Sequence, residues 1–122
     1  MAKLIPRGYA WVSVDVRSTG ASFGTKMCDL LPRETADYQE VLKWVKRQPW
    51  CNGNVGTGGI SYDGIAGTIL ASGGGVKAVA SVFAPQDIYR DLVRLASHKR
   101  ASLMCDVFLG CVCVHVCVAA GG

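Results

Sequence analysis

Nowhere does this chain run apolar for the ~18–20 residues that a membrane-spanning helix needs. Its apolar run near the end is shorter and is preceded by Asp106, so membrane insertion is not expected. Basic residues give a net charge of +4, yet they are scattered, with Lys46-Arg47 and Lys99-Arg100 the densest groups. None of these groups is interleaved with aromatics, and nucleic acid is not an expected partner. The stretch Met1-Ala2-Lys3-Leu4-Ile5-Pro6-Arg7 holds no apolar segment of signal-peptide length, so the expected location is cytoplasmic. Two phosphate-binding patterns are also missing. Gly53 to Gly58 spans the start of a P-loop but continues with Gly59 where lysine is needed, and Gly56-Thr57-Gly58-Gly59-Ile60-Ser61 lacks the third glycine of a dinucleotide fingerprint. No cofactor is expected on these grounds. Anion binding at the helix start after Ser61 stays open as an alternative.

Six cysteines in 122 residues are too few and too uneven for a disulfide scaffold. Cys28 and Cys51 stand alone and read as free thiols, whereas Cys105, Cys111, Cys113 and Cys117 crowd the end. There, Val112, Val114, Val116 and Val118 alternate with Cys111, Cys113, His115 and Cys117, which is the period of a strand. Four ligands in a line on one strand face have neighbours ~6–7 Å apart, and a tetrahedral zinc ion needs them converging within about 2.3 Å. The paired C-x2-C spacing is absent as well, so no metal site is expected.

What the chain does contain is a core. Half of its residues are apolar, enough for one domain or a piece of one. Tyr9 to Val16 reads as a buried strand, and Asp15 to Ser22 as the loop that leaves it. Pro32 to Gln48 reads as a helix, with Pro32 in its first turn, Glu34 at the positive end of the dipole, and Tyr38, Val41, Leu42 and Val45 on one face. Pro49 closes it, and Trp44 and Trp50 are expected to pack around its end. Asn54 to Ile60 is a glycine-rich second strand. Tyr62 to about Ser72 is a second helix, whose small Gly64, Ala66, Gly67 and Ala71 let it lie close to a sheet, and Gly73-Gly74-Gly75 ends it. Val76 to Phe83 reads as a third buried strand ended by Pro85, and Gln86 to about His98 as another helix. The alternation predicts an α/β fold of parallel strands joined by crossover helices, followed by a strand-like, Cys-rich C-terminal tail.

Ser61 lies where the second strand meets the second helix, the place of a nucleophile elbow, where flanking residues must be small. Gly59 and Gly64 are small, although a strict G-x-S-x-G has glycine at the place of Asp63. Arg7-Gly8-Tyr9, Asp15-Val16-Arg17-Ser18-Thr19-Gly20-Ala21-Ser22, Pro32-Arg33-Glu34-Thr35, Gln48-Pro49-Trp50-Cys51-Asn52-Gly53-Asn54-Val55-Gly56, Gly59-Ile60-Ser61-Tyr62-Asp63-Gly64 and Phe83-Ala84-Pro85 occur in this order. Together they closely resemble the X-Pro dipeptidyl-peptidase and cocaine-esterase family of α/β-hydrolases, from about Arg7 to Val93. That family uses G-x-S-Y-x-G at its elbow, which this chain matches. In the loop after the first strand the family carries glycine where this chain has Ser18.

The resemblance implies a serine hydrolase that attacks the ester or amide carbonyl of a small-molecule ester or peptide through Ser61, with the backbone N–H of Tyr62 as one oxyanion donor. It also implies a second donor, a tyrosine, upstream of the first strand, and an acid and a histidine downstream beyond a cap insertion. Asp87, Asp91, Asp106, His98 and His115 follow Ser61 in an order a triad permits, but His98 sits in a solvated Ser97-His98-Lys99-Arg100 run and His115 within the strand-like tail. The chain is therefore expected to be a fragment, with residues 1–93 a partial α/β-hydrolase domain and 94–122 an atypical tail, foreign or frame-shifted. Alone it is expected to be inactive. The competing expectations are a turn serine in a glycine-rich loop and a non-catalytic α/β module that binds a partner through an uncovered sheet or the apolar tail.

Overall fold

The computed structural model describes residues 3–27, 29–85, 87, 90 and 91, and the backbone of 113–120 with the side chain of Val118. After a single 3-10 turn at Ile5–Arg7, the elements are β1 (Tyr9–Asp15), α1 (Pro32–Lys46), β2 (Cys51–Ile60), α2 (Tyr62–Ser72), β3 (Ala78–Val82) and β4 (Cys113–Ala120). The local signals act as their chemistry dictates. Pro32 opens α1, and Tyr38, Leu42 and Val45 form its buried stripe. In α2, Gly64, Ala66 and Gly67 are buried because the helix lies almost on the sheet. Gly74 and Gly75 take φ values of 82° and 85° just beyond it, which suits residues without a Cβ.

Strand order is β1-β4-β2-β3. β2 and β3 are parallel neighbours, with Gly56 opposite Ala78 and Ile60 opposite Val82. β1 and β2 are each antiparallel to β4, so β1, β2 and β3 share one direction, as the alternation of elements implied. The sheet as a whole is mixed. β4 stands between β1 and β2, where the sequence pattern predicted parallel strands and a tail, and Val118 is fully buried opposite Val55. A period of two fixes which residues share a face, but not which strand lies alongside.

The third strand also differs from expectation. Every residue of β3 is exposed, with Val79 and Val82 at 43% and 47%. β3 is an edge strand, and an apolar run alone does not reveal whether a strand is central or terminal. Of the helix expected from Gln86 to about His98, only 87, 90 and 91 are described, and Asp91 N–H donates to Asp87 O in one helical turn. The rest of that helix, and His98, lie outside the described residues.

The core gathers Val16, Tyr38, Leu42, Val45, Val55, Tyr62, Ala66, Leu70 and Val118, with Ala10 and Val12 of β1 packed against it. α1 and α2 are joined by Gln39, whose side-chain amide donates to Leu70 O at 2.8 Å. Trp44, in the last turn of α1, and Trp50 meet edge to face at 6.4 Å, with Trp50 against the core. The loop after β1 is bound to α1 by Arg17, which donates to both oxygens of Asp37 at 2.7 and 2.5 Å. That hydrogen bonding holds the Asp37 carboxyl below the usual carboxylate range.

In the same loop Ser18 sits at φ 66°, the left-handed region that glycine occupies without strain. The side chain is exposed, so little packing is lost by removing it. Ser18→Gly is expected to raise the unfolding free energy by about 0.5–1 kcal/mol, the strain relieved less the entropy added to the unfolded chain. Urea denaturation checks this, and an unchanged or lower midpoint at the same slope contradicts it.

Candidate active site

The last residues of β2 are shaped by the helix that follows. A Cβ on Gly59 would overlap Asp63 Cβ and lie 2.5 Å from the Asp63 carbonyl carbon, so the first turn of α2 rests directly on this glycine. A Cβ on Gly64 would meet Ser81 Oγ at 2.7 Å and Gly59 O at 2.9 Å, so the helix needs glycine facing the sheet too. One turn further on, Thr57 Oγ1 donates to Gly67 O at 3.2 Å. The need for small residues at 59 and 64, read from the motif, thus has its physical cause in the strand-to-helix approach.

Between these glycines the chain turns on Ser61, at φ 58° and ψ −122°, a conformation costly for any residue with a side chain. Its N–H donates to Val82 O at 2.9 Å, and its C=O accepts from Ile65 N–H at 3.0 Å, opening the helical ladder of α2. Its hydroxyl makes no cap to the helix and the residue is exposed. Ser61 therefore presents its side chain at the carboxyl ends of β2 and β3, at the N-terminus of α2, where the helix dipole favours negative charge. Tyr62 is the first residue of that helix. The N–H groups of a first turn point along the axis away from the helix body, toward the end at which Ser61 stands.

Tyr62 itself points inward and is 5% exposed. Its phenol donates to Glu34 Oε1 at 2.6 Å, and the Tyr38 phenol donates to the same oxygen. Glu34 Oε2 accepts from Leu30 N–H at 2.9 Å, where the backbone is again left-handed at φ 60°. A carboxylate 3% exposed thus receives three hydrogen bonds, from two phenols and a backbone amide. Asp29, which is paired with Lys26, lies 3.5 Å from the Tyr62 hydroxyl. Burial first, and Glu34 second, hold both phenols well above the ordinary tyrosine pKa. Sequence reading assigned Glu34 to the helix dipole alone. The available signal was its i, i+4 spacing to Tyr38 on the buried stripe, which puts the carboxylate on the same inward face.

Of the other candidates, only Asp87 and Asp91 have described side chains. Asp87 accepts from Arg90 N–H at 3.0 Å and pairs with the Arg90 side chain at 3.5 Å, serving its own turn. His98 and Asp106 lie outside the described residues, and of His115 only the backbone is described, opposite Ser13 in β4. Cys28, Cys105 and Cys111 are outside as well. Among the described residues there is no cluster able to hold a metal ion, and no helix long and apolar enough to cross a membrane. Where no described helix covers it, an apolar trough of about 860 Å³ runs from Tyr9 and Trp11 along β2 to Ile60 and Asp63.

Parallel strands with helices packed on them, and a strained, exposed serine between a strand and a helix, define a partial α/β-hydrolase-like domain. The chain belongs to the X-Pro dipeptidyl-peptidase (S15) family, whose model matches residues 1–104. It is 42% identical over 92 residues to a protein of Mycobacterium bovis provisionally named a serine esterase, and equally to a protein of the same name in Mycobacterium tuberculosis. Those matches cover 74% of this chain and 15% of each relative. It is 39% identical over 87 residues to the cocaine esterase of a Rhodococcus species, covering 68% of this chain and 14% of that protein. The chain therefore spans about one-seventh of the length of these relatives. No solved structure matches it significantly.

Proposed function

We propose that Ser61 is the nucleophile of a serine hydrolase that cleaves esters or peptide-type amides of small molecules through an acyl-enzyme, within a hydrolase segment formed by residues 1–93. The observation that carries this reading is the left-handed backbone of Ser61, exposed at the end of β2 and the start of α2. In the first step Oγ bonds to the substrate carbonyl carbon while a general base takes the hydroxyl proton, and the tetrahedral oxyanion receives the Tyr62 N–H. As the carbon–leaving-group bond breaks, the proton passes to the departing alcohol or amine, and water later releases the acyl group by the same route. The base and its acid partner are assigned to residues other than those described, in keeping with the family resemblance. The names of the relatives support ester or peptide substrates.

The test sets the segment within one of its longer relatives. Residues 7–93 replace the matching segment of the Rhodococcus cocaine esterase, and the chimera is treated with a fluorophosphonate. Mass spectrometry is expected to find the adduct on the peptide containing Ser61, and none in Ser61→Ala. A folded chimera that turns over an ester without modification at Ser61 overturns the assignment. The isolated 122-residue chain is expected to stay unlabelled under the same conditions, because the family resemblance puts the general base beyond a cap insertion, and a serine hydroxyl without a base is a poor nucleophile.

The apolar trough beside β2, which no described helix covers, favours a second reading, a non-catalytic module. Ile60 and Tyr9, which line it, are 64% and 39% exposed, which is costly unless something apolar covers them. A stable partner complex that Ser61→Ala leaves unchanged supports this reading.

A further inference from the structure

The backbone of Ser61 persists in a strained conformation only because its surroundings over-determine it. Three of the restraints are backbone contacts: Ser61 N–H to Val82 O, Ile65 N–H to Ser61 O, and the rest of the first turn against Gly59. The fourth is a side chain. Tyr62 is both the residue that begins α2 and the residue whose phenol is anchored on α1, 28 positions away, by Glu34. Glu34 is itself held on its other oxygen by Leu30 N–H and shared with Tyr38, so the anchor does not swing. All three partners donate, and only a carboxylate accepts on both oxygens.

We propose that Glu34 is a positioning residue of the elbow: by holding the Tyr62 phenol it fixes the first residue of α2, and with it the orientation of the Ser61 hydroxyl and the Tyr62 N–H. Its catalytic meaning rests on Ser61 being the nucleophile, but its geometric content does not. Glutamine at this position removes the charge, and its NH2 either faces Leu30 N–H, donor against donor, or faces the phenols, which must turn to accept from it. The hold on Tyr62 is weakened at its far end, and with it a restraint on the turn at Ser61 that reaches across the core. A role confined to stability would loosen the whole domain evenly.

The two are separated in the full 122-residue chain by amide spectra and hydrogen exchange of Ser61 and Tyr62. Glu34→Gln and Tyr62→Phe are expected to shift both resonances and to speed their exchange about tenfold more than exchange in the core of α1. Val45→Ala, a core truncation two helical turns beyond Tyr38 on α1, and Tyr38→Phe, which leaves the Tyr62–Glu34 bond in place, are expected to leave the two resonances where they are. Should Glu34→Gln not fold, Tyr62→Phe, which keeps the ring, decides. Elbow amides that respond no more to Tyr62→Phe than to Val45→Ala overturn the proposal. Because this measurement needs no turnover, failure of the adduct on Ser61 sinks the hydrolase reading without touching the result here, and the converse also holds.

Discussion

Gly59→Ala is expected to lower the unfolding free energy by about 3 kcal/mol, at the upper end of what overpacking by a single methyl costs. The substitution introduces no backbone strain at this position, because Gly59 does not have a positive φ. The whole effect is therefore contact. The new Cβ overlaps Asp63 Cβ and lands 2.5 and 2.8 Å from the carbonyl carbon and oxygen of Asp63, and backbone atoms cannot rotate away as a side chain does. Relief requires α2 to lift from β2, which also stretches Thr57 Oγ1 from Gly67 O and Ser61 N–H from Val82 O. Gly64→Ala serves as the graded comparison. Its Cβ meets the Ser81 hydroxyl, which can turn, besides Gly59 O, so a smaller loss of about 1–2 kcal/mol is expected. Thermal unfolding resolves the two, since about 3 kcal/mol corresponds to roughly 10 °C in a domain of this size. A Gly59→Ala variant that melts within a degree or two of the parent would mean that α2 does not lie on β2 as described.

The elements were legible in the sequence because their punctuation is chemical. Pro32 and Pro49 bracket α1, the glycines at 73 to 75 follow α2, and the predicted Tyr62 to Ser72 helix coincides with the observed one. The tight turn at Ser61 was legible for the same reason: small residues at fixed offsets from a serine state a steric requirement, and Gly59 and Gly64 meet it. What the pattern does not encode is adjacency. β4 alternates clearly in the sequence, yet its insertion between β1 and β2 depends on contacts across more than fifty residues, and alternation is silent about them. Exposure of β3 escaped for a related cause, since its apolar residues suit a central strand and an edge strand equally. Glu34 is the instructive miss. A glutamate in the first turn of a helix is normally solvated, and only the arrival of Tyr62 from α2 turns it into a buried acceptor. Ser18 shows the reverse, a serine whose backbone takes a φ that glycine favours.

The phenols on Glu34 make this fold sensitive to alkaline pH. Both are 5% exposed, and burial together with the adjacent carboxylate raises their pKa above the ordinary value of 10.0. In the unfolded chain Tyr38 and Tyr62 release protons near pH 10, while in the folded protein they retain them, so the folded state binds more protons and stability must fall as pH rises. The stabilisation is fully present below about pH 10 and is lost above it at about 1.4 kcal/mol per pH unit for each tyrosine, or roughly 5 kcal/mol for the pair between pH 10 and 12. Deprotonation in place is no escape, since a phenolate would face the carboxylate that now accepts its hydrogen bond. Denaturation at a series of pH values, followed by both circular dichroism and tyrosinate absorbance, is expected to show two phenols ionising only as the fold is lost. Tyr62→Phe and Tyr38→Phe should each remove half of this pair's contribution to the slope. Ionisation of all the tyrosines near pH 10 in a chain that remains folded would contradict the buried cluster and, with it, the anchor on which the geometry of Ser61 depends.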